Sequence, residues 1–274
     1  MFWAWGFHNL FEGGILNAIR NAIQPGETGE AVLVGCGFVA VIIISYLLGS
    51  INWALVISKF AYHEDVREHG SGNAGTTNVL RTYGKKAAIF TFLGDGLKGV
   101  IAILIACAIF GYPLEGGYIG DVTVYNIHYT HLVTAAYLAA FFAIIGHVFP
   151  IFAKFKGGKG FATFLFCALT LNPAIFLILA AIFLVLVLGA HYVSLGSIVT
   201  AAFYPILVSS FDAAITHYGT NTIFAFLIAV IIIWSHRSNI KRLLSHTERK
   251  TYFFKKKPAT SAEPTASKAE DNDE

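Results

Sequence analysis

Long apolar runs separated by short polar stretches make up most of this 274-residue chain. A helix needs about 20 mostly apolar residues to cross the hydrocarbon core of a bilayer, and several runs reach or approach that length. We therefore predict an all-α integral membrane protein with about seven transmembrane helices. The seven predicted segments are Ala31–Ile57, Ala87–Phe110, His131–Val148, Phe161–Leu171, Ala174–Ala190, Val199–Phe211 and Thr222–Ser235.

The fourth segment, Phe161–Leu171, is too short to cross a bilayer by itself. Its 11 residues would rise about 17 Å as an α-helix, whereas the hydrocarbon core is about 30 Å thick. Two alternatives explain it: the helix begins earlier, inside the glycine-rich stretch before Phe161, or Phe161–Ala190 forms a re-entrant pair. In both, the chain is back on the same side of the membrane by His191.

The composition supports this class and argues against others. Only 13% of the residues are charged, compared with about 25% in a soluble domain, and 56% are hydrophobic. The three cysteines, Cys36, Cys107 and Cys167, lie in apolar runs without CxxC spacing, so neither a disulfide framework nor a zinc site is expected. We interpret them as small buried hydrophobic residues.

The positive charges predict the orientation in the membrane. Of 19 lysine and arginine residues, five lie in Lys59–Lys86, three in Lys154–Lys159 and nine from Arg237 onward, all on one side of the predicted spans. The loops on the other side, Gly111–Thr130 and Asp212–Asn221, have none. Because basic loops stay in the cytoplasm, we expect the N-terminus outside and the C-terminus in the cytoplasm.

The two ends of the chain differ from the multi-span region, residues 31–250. Apolar residues recur every four positions in the N-terminal extension, residues 1–30, which is typical of an amphipathic helix at a membrane surface. Residues 251–274 are polar and charged, so we expect a disordered C-terminal tail. The recurring apolar residues are Phe11, Ile15, Ile19 and Ile23.

Three polar, glycine-bearing segments fall on the predicted cytoplasmic side: REHGSGNAGTTNVLR, FKGGKGFAT and HRSNIKRLLSHTE. Glycine allows the backbone to approach a ligand closely, and successive amides in such turns bind anions, as does a helix N-terminus. Together the segments predict a site for one or more phosphates. Its donors would be Ser71, Asn73, Thr76, Thr77, Asn78, Arg81, Lys156 and Lys159.

Other chemistries have no motif in this sequence. It lacks the GxxxxGKS or GxxxxGKT spacing of a nucleotide-binding loop, the GxSxG elbow of hydrolases and the HExxH helix of zinc proteases. None of the ten histidines has an aspartate five positions later, the arrangement of many soluble-type glycerolipid acyltransferases. We expect no metal, no cofactor and no nucleic-acid partner.

Three ionisable residues lie inside or at the end of predicted spans. Asp95 and Lys98, in GDGLKG, lie three positions apart on one helix face, and His147 ends the third span in GHVFP. Charges in a span are costly and usually face each other or a cavity. Asp95 and Lys98 therefore either form an internal ion pair or contact a substrate directly. We expect His147 to be a structural cap or hydrogen-bonding residue.

In order and spacing, these segments resemble the acyl-phosphate:glycerol-3-phosphate acyltransferase family (PlsY), bacterial membrane enzymes of phospholipid synthesis. The likeness begins at YLLGSINWALVISK and continues through DVREHGSGNAGTTNVLRTYGKKAAIFTFLGDGLKG, GHVFPIFAKFKGGKGFAT and YVSLGSI to HRSNIKRLLSHTE. It covers the chain from Tyr46 to Glu248. The family's seven spans and external N-terminus agree with the segments predicted above.

The resemblance implies transfer of a fatty acyl group from acyl phosphate to the 1-hydroxyl of glycerol 3-phosphate, which yields lysophosphatidic acid and inorganic phosphate. This would be the first acylation step of phospholipid synthesis, at the cytoplasmic face of the bacterial inner membrane. The implied partners are glycerol 3-phosphate, acyl phosphate, membrane lipids and a functionally linked enzyme that forms acyl phosphate.

The resemblance also implies roles for individual residues. In the family, the first motif contributes an essential serine and arginine, the second is the phosphate loop, and the third contributes a histidine, an asparagine and a structural glutamate. The implied catalytic residues here are Ser71, Arg81, His236 and Asn239. The phosphate-binding residues are Asn73, Thr77, Asn78, Gly157, Gly158, Lys159 and Gly160, and the supporting residues are Asp95, Lys98, His147, Ser194 and Glu248.

Three positions depart from the family pattern. Asn52 replaces the usual proline of GSIPxG, Thr76 replaces an alanine of GATN, and His246 replaces a glycine near the end of the third motif. We expect the histidine to alter the turn that precedes Glu248.

An acyl phosphate is already activated, so we expect catalysis by positioning and charge, with Ser71 as a hydrogen-bond donor rather than a nucleophile. The proton acceptor for the attacking hydroxyl is either His236 or the substrate's own phosphate. The short Phe161–Leu171 segment and the charges of Asp95 and Lys98 also fit an alternative function, a small-anion or phosphate-ester transporter. A structural or lipid-binding scaffold would leave the three polar motifs unexplained.

Overall fold

The computed structural model describes residues 14–111, 122–215 and 220–251, with side chains described except at 122–130 and 212–220. All regular elements in these ranges are helical. The α-helices are α1 Gly14–Ile23, α2 Glu27–Ser50, α3 Trp53–Ala61, α4 Thr76–Thr82, α5 Lys85–Phe110, α6 Val122–Val148, α7 Phe161–Leu171, α8 Pro173–Ala190, α9 Val193–Ile215, α10 Thr220–Ser235 and α11 Arg237–Leu244. Two short 3-10 turns, Val66–Glu68 and Ile151–Ala153, lie in the loops before α4 and α7.

Each predicted apolar segment is helical in the described part of the chain, except that the first is interrupted at Ile51 and Asn52, between α2 and α3. Five helical stretches there are long and apolar enough to cross a membrane, and α10 with α11, bent by 58°, make a sixth if the pair is one span. The predicted all-helical membrane architecture is confirmed, whereas the number of spans and their orientation stay predictions. The five stretches are Glu27–Ala61, Lys85–Phe110, His131–Ala153, Pro173–Ala190 and Val193–Phe211.

Helix α7 begins at Phe161, so the predicted alternative of an earlier start is wrong. Gly160 precedes it with a φ of +79°, a left-handed conformation that does not continue a helix. The rings of Phe161, at the start of α7, and Phe183, in the second half of α8, lie 5.0 Å apart. The two helices therefore run antiparallel about Asn172, whose side chain caps the start of α8.

Two other boundaries differ from the prediction. Helix α6 begins at Val122 rather than His131, and α9 begins at Val193 rather than Val199. The predicted connecting segment HYVSLGSI is thus mostly helical. Its polar residues fit inside a helix because Ser197 donates a hydrogen bond to the Val193 carbonyl, at 2.9 Å, and so satisfies its hydroxyl locally.

Helix α6 lies at the centre of the packing, in contact with α2, α5, α7 and α10. The contact with α2 is close because a Cβ on either Gly49 or Gly146 would collide with the backbone of the facing helix. Ala139, Ala140 and Ala143 are fully buried along α6. This packing fixes the facing ends of α2 and α6, which lead directly into two of the polar segments.

The three cysteines are free, as predicted, and Cys107 and Cys167 are buried. The prediction of burial is wrong for Cys36, which is exposed. Its neighbours Gly37 and Val41 occupy the packed face of α2, so Cys36 lies on the outward face.

Helix α1 lies within the predicted N-terminal extension, and the isoleucines of its four-residue repeat are exposed. Leu16 packs against Gly37 of α2, on the opposite side. Phe11 and residues 252–274 lie outside the described residues, so the predicted tail is not described either. The position of α1 at a membrane surface stays a prediction. The exposed isoleucines are Ile15, Ile19 and Ile23.

Candidate active site

A cavity of about 510 Å³ brings the three polar segments together. It lies between the loop before α4, the starts of α7 and α9, and the junction of α10 and α11. Lys98, Lys156, Gly157 and Gly158 are outside its lining. The predicted site residues that line it are Ser71, Asn73, Thr76, Thr77, Asn78, Arg81, Asp95, His147, Lys159, Gly160, Ser194, His236, Asn239 and Glu248.

The first polar loop is organised by Asn78, which is buried at the start of α4. Its side-chain oxygen accepts a hydrogen bond from the Ser71 amide at 2.8 Å, and its nitrogen donates to the carbonyls of Val66 and His69 at 2.8 and 3.0 Å. These bonds use both hydrogens of the side-chain amide. Asn78 therefore holds the loop that presents Ser71, and its direct contact with a phosphate stays a prediction.

Arg81 lies in the last turn of α4 and reaches the cavity from the loop side. Its guanidinium donates to the hydroxyl of Thr251 at 3.3 Å. Partial burial lowers the pKa of Arg81, and repulsion from Arg249 and Arg242 adds to this effect. A cation held near other cations favours an anionic ligand between them.

The second polar loop differs from the predicted anion nest. The amides of Gly157 and Gly158 donate to the carbonyls of Val148 and His147, at 3.3 and 3.1 Å, so they are bonded to the end of α6. A Cβ on Gly157 would collide with the His147 carbonyl, and one on Gly158 with the His147 ring and the Ala74 carbonyl. These glycines therefore serve close packing of the loop against α6, and their direct role in phosphate binding stays a prediction.

Lys159 is the residue of this loop whose charge faces the cavity. Its ammonium donates a hydrogen bond to the side-chain oxygen of Asn239 on α11. Burial lowers the pKa of Lys159 to about 8, an effect that attraction to Glu248 opposes and repulsion from Arg242 and Arg81 reinforces. The group is therefore a cation at neutral pH that an additional negative charge would stabilise.

His236 lies between α10 and α11 and is 3% exposed. Its Nδ1 lies 2.8 Å from the carbonyl oxygen of Ile232, one turn back in α10. Because a carbonyl oxygen only accepts hydrogen bonds, Nδ1 carries the hydrogen of the neutral ring. Nε2 is then the nitrogen that can accept a proton, and His236 lines the cavity.

Glu248 ties the third motif together. Its Oε1 accepts hydrogen bonds from Asn239 and Ser194 at 2.8 and 2.9 Å, and its Oε2 accepts one from Arg242 at 2.7 Å. Burial alone would raise the pKa of Glu248, but these hydrogen bonds outweigh it and the pKa is lowered. The carboxylate thus stays charged and orients Asn239, whose other end accepts from Lys159.

The turn before Glu248 forms with histidine in place of the family's glycine. His246 has a φ of +55°, in the left-handed region that glycine adopts most readily. The amides of Thr247 and Glu248 both donate to the Arg242 carbonyl, at 2.8 and 3.1 Å. The expected effect of the histidine is therefore local backbone strain at position 246. The turn still closes, and Glu248 still bonds its three partners.

Among the cavity-lining residues that sequence reasoning missed are the two cations Arg242 and Arg249, and Thr251, which bonds Arg81. Arg242 lies three positions after Asn239 on α11, so helical spacing alone would have placed the two on one face. Arg249 and Thr251 follow the turn, and the Thr251 amide bonds the His191 carbonyl at 2.8 Å. No periodic pattern in the sequence indicates that this short segment returns across the cavity.

The predicted ion pair inside α5 is present. Asp95 and Lys98 are 1% and 4% exposed, and their charged atoms lie 3.1 Å apart. The Lys98 ammonium also lies 2.9 Å from Nδ1 of His147, consistent with the predicted hydrogen-bonding role of that histidine. Asp95 and His147 line the cavity but Lys98 does not, so the alternative of direct substrate contact remains open for Asp95 only.

Part of the cavity lining is an apolar wall. Its rings and aliphatic side chains come from α5, from the antiparallel pair α7 and α8, and from the start of α9. Such a wall suits a hydrocarbon chain better than a small polar molecule. The wall residues are Phe92, Phe161, Leu165, Phe183 and Val193.

In the described part of the chain, no cluster of three histidine, cysteine, aspartate or glutamate residues is placed to hold a metal ion.

A match to one known family covers most of the chain. The model described as Glycerol-3-phosphate acyltransferase matches residues 39–246. This chain belongs to that family. The resemblance stated from the motifs is therefore confirmed, and the match spans the first two polar segments and the third as far as His246. The exposed helix α1 precedes it, and Glu248, Arg249 and Thr251 follow it.

Curated relatives in the family match over most of their own length. A glycerol-3-phosphate acyltransferase of Clostridioides difficile (strain 630) is 40% identical over 213 residues, which cover 78% of this chain and 95% of the relative. Glycerol-3-phosphate acyltransferase 3 of Bacillus anthracis is 41% identical over 214 residues, with the same two shares.

Two solved structures are similar to this fold. Both are crystal structures of PlsY (YgiH), an integral membrane glycerol 3-phosphate acyltransferase, and both are 32% identical to this chain and cover 78% of it. The glycerol 3-phosphate form has a TM-score of 0.64 and is covered over 96% of its chain; the lysophosphatidic acid form has a TM-score of 0.60 and is covered over 94%.

Proposed function

We propose that this protein transfers a fatty acyl group from acyl phosphate to the 1-hydroxyl of glycerol 3-phosphate, forming lysophosphatidic acid and inorganic phosphate. The observation that carries the proposal is a single cavity whose lining combines cationic side chains with an apolar wall. The family membership and the substrate and product named for the two PlsY structures support it.

The charged part of the cavity lining fits two phosphate groups. Arg81, Lys159, Arg242 and Arg249 line it, and Glu248 supplies the opposing carboxylate that orients Arg242. Each substrate carries a phosphate group of roughly −1.5 to −2 charge at neutral pH. Asp95 also lines the cavity, but its charge is already paired with Lys98. The four cations beside Glu248 therefore offset most of the repulsion that two such groups would feel when held together.

The reaction follows from this placement. The 1-hydroxyl oxygen attacks the carbonyl carbon, the bond from that carbon to the phosphate oxygen breaks, and the phosphate leaves with the electron pair. Arg81 and Lys159 stabilise the charge on the departing phosphate, and the Ser71 hydroxyl donates to a phosphate or to the developing oxyanion. Holding the hydroxyl against the carbonyl supplies about 7–11 kcal/mol of the barrier in well-oriented cases.

The hydroxyl proton goes to one of two acceptors. The first is His236, because its Nδ1 donates a hydrogen bond to the Ile232 carbonyl, which leaves Nε2 as the basic nitrogen. The phosphate of glycerol 3-phosphate is the second, since it is an anion held in the same cavity. Either acceptor balances the reaction without a covalent acyl-enzyme.

The proposed location is the bacterial cytoplasmic membrane, with the cavity at its cytoplasmic face. The basic segments that line the cavity support this orientation, because positively charged loops are retained in the cytoplasm. A water-soluble phosphate ester would enter from the cytoplasm, while the acyl chain would lie along the wall of α5, α7 and α8. The acyl phosphate would come from a separate enzyme that forms this mixed anhydride.

A transporter for small anions is the competing function. The buried charges of α5 favour it, because such groups often mark a transport path. Purified protein in liposomes separates the two: labelled glycerol 3-phosphate is supplied outside with palmitoyl phosphate in the bilayer. We expect labelled lysophosphatidic acid and no labelled glycerol 3-phosphate in the lumen. Labelled ester in the lumen without lysophosphatidic acid would favour the transporter.

A further inference from the structure

A buried polar cluster, formed by Asp95, Lys98 and His147, lies next to the two polar loops that line the cavity. Its centre is the Lys98 ammonium, which donates to the carbonyls of Gly49 and Ile51 at 2.8 and 2.7 Å. The same nitrogen lies 2.9 Å from Nδ1 of His147 and 3.1 Å from Asp95. A charge in a membrane helix is costly, so this set of partners satisfies it fully.

The cluster reaches the first loop through the break between α2 and α3. The backbone amide of Trp53 donates to the Asp95 carboxylate at 3.2 Å, which fixes the start of α3. The preceding residue, Asn52, caps α3 by accepting from the Leu55 amide at 3.1 Å. Its side-chain nitrogen donates to the Ala74 carbonyl at 3.2 Å, and both groups are buried.

This contact places the part of the loop that lines the cavity. Ala74 is fully buried between Asn73 and Gly75, and both neighbours are lining residues. A proline at position 52, as in the family pattern, has no side-chain donor and could not make the bond to Ala74. Asn52 is therefore specific to the way this chain fastens its first loop.

The cluster reaches the second loop through His147. The His147 carbonyl accepts from the Gly158 amide at 3.1 Å, and the His147 ring packs where a Cβ of Gly158 would lie. The same position is bounded by the Ala74 carbonyl, so the two loops meet there. The residue after Gly158 is Lys159, whose ammonium donates a hydrogen bond to Asn239.

A third link reaches the helix that carries the apolar wall. The hydroxyl of Thr163, in the first turn of α7, donates to the backbone carbonyl of Asp95 at 2.7 Å, and both residues are buried. The spacing between α5 and the start of α7 is thereby fixed next to Asp95 and Phe161, which both line the cavity.

We propose that Asp95, Lys98 and His147, together with Asn52, are positioning residues that set the distance between the two phosphate-binding loops. They act through Ala74, Gly158 and Thr163 and move no atom of the reaction. The inference rests on the proposed function, because it assigns the purpose of the cluster to holding the phosphates of that reaction.

The sharpest test is Asn52→Ser. Serine keeps the cap of α3, since its hydroxyl oxygen also accepts the Leu55 amide, but it has no donor that reaches Ala74. We expect the KM for glycerol 3-phosphate to rise about three- to tenfold, the effect of one lost buried hydrogen bond, with a smaller change in kcat. An unchanged KM in this variant would overturn the role of Asn52.

The second test removes the charge at the centre. Lys98→Met, with the double variant Asp95→Asn plus Lys98→Met to avoid an unpaired carboxylate, should lose most of the rise in Tm that saturating glycerol 3-phosphate gives the parent protein. This readout measures binding, so it is independent of turnover. A merely structural cluster would lower Tm but leave the ligand-dependent rise unchanged, and that result would overturn the proposal.

Thr91→Val is the matched control. Thr91 is buried one turn before Asp95 on α5, and its hydroxyl bonds only the Ala87 carbonyl of its own helix, at 2.9 Å, in the contacts the structure describes. We expect it to change neither the KM nor the ligand-dependent rise in Tm. If the parent protein makes no lysophosphatidic acid and gains no stability from glycerol 3-phosphate, the proposed function fails and this inference falls with it.

Discussion

At the scale of single residues, Asn239 connects the cavity to its support. Its oxygen accepts from Lys159 and its nitrogen donates to Glu248, so the two ends of one amide face groups of opposite charge. The amide is thereby fixed in one orientation, because a flip would place a donor against the ammonium. Glu248 also holds Arg242, so one carboxylate of the cavity lining determines where two of its cations, Lys159 and Arg242, point.

The lowered pKa of Lys159 predicts the alkaline limit of substrate binding. A lysine is charged below its pKa and neutral above it, so the charge that attracts phosphate is lost as the pH rises through about 8. We expect the KM for glycerol 3-phosphate to rise above that pH, by up to about tenfold per pH unit. The substrate's own second pKa, about 6, leaves its charge constant in this range.

Lys159→Arg tests the assignment, with KM measured between pH 7 and pH 10. A guanidinium stays charged throughout, so the variant should lose the rise in KM even if its KM at neutral pH differs. A rise that persists unchanged in Lys159→Arg would assign the alkaline limit to another group.

Removal of the Arg81 side chain should cause the largest loss of activity of any single substitution. It lines the cavity from α4, and its side chain makes one described hydrogen bond, to Thr251, so its removal leaves the core intact. We expect Arg81→Ala to lower kcat/KM by at least about 100-fold with an unchanged Tm. Lys85→Ala, an exposed cation at the start of α5, is the control and should retain full activity. Parent-like rates in Arg81→Ala would remove Arg81 from the site.

At the scale of elements, close packing explains the glycine-rich second loop. Its two glycine amides bond the end of α6, so the loop is part of the scaffold as well as the carrier of Lys159. The sequence predicted the place of this loop from its glycines and basic residues. It could not show that the amides are occupied, because their acceptors belong to a helix packed against the loop in three dimensions.

Gly158→Ala should affect both stability and substrate binding. Its Cβ would meet the His147 ring and the Ala74 carbonyl, and overpacking of this kind typically costs about 1–3 kcal/mol. We expect a lower Tm and a higher KM for glycerol 3-phosphate. Gly189→Ala, in α8 with no neighbouring element within 4 Å of the added Cβ, is the control and should leave KM unchanged without lowering Tm. An unchanged KM in Gly158→Ala would mean that this loop does not place a substrate group.

The helices themselves were largely predictable from the apolar pattern. The start of α9 was not, because His191, Tyr192 and Ser194 read as a polar connection, whereas only the first two lie outside the helix. Ser194 lies inside α9 and donates a hydrogen bond to Glu248 from there. The position of Arg242 beside Asn239 was within reach of helical spacing, but the return of Thr251 to His191 depends on tertiary contacts alone.

At the scale of the whole molecule, polar loops converge at one end of a set of apolar helices. The cavity lies near the start of α5, at Phe92 and Asp95, and α1 packs near its end, at Phe110. The 18 residues between Phe92 and Phe110 correspond to about 27 Å of helix. The support added by α1 is therefore far from the proposed chemistry.

Deletion of residues 1–26 should separate stability from activity. It removes α1, its packing against Gly37 and the ion pair between Arg20 and Glu30, so we expect a lower Tm. Because the cavity is distant, KM and kcat should stay within about twofold of the full chain at a temperature where both are folded. A large rise in KM for glycerol 3-phosphate would show that α1 is coupled to the cavity.

The measurement that tests the central claim most directly compares acyl donors with purified protein in detergent. Labelled glycerol 3-phosphate is mixed in separate reactions with palmitoyl phosphate, palmitoyl-CoA or an acylated carrier protein, without added metal. The account predicts labelled lysophosphatidic acid from palmitoyl phosphate only, with one inorganic phosphate released for each product. Product from a thioester donor alone would contradict the proposed donor, and no product from any donor in folded protein would contradict the proposed function.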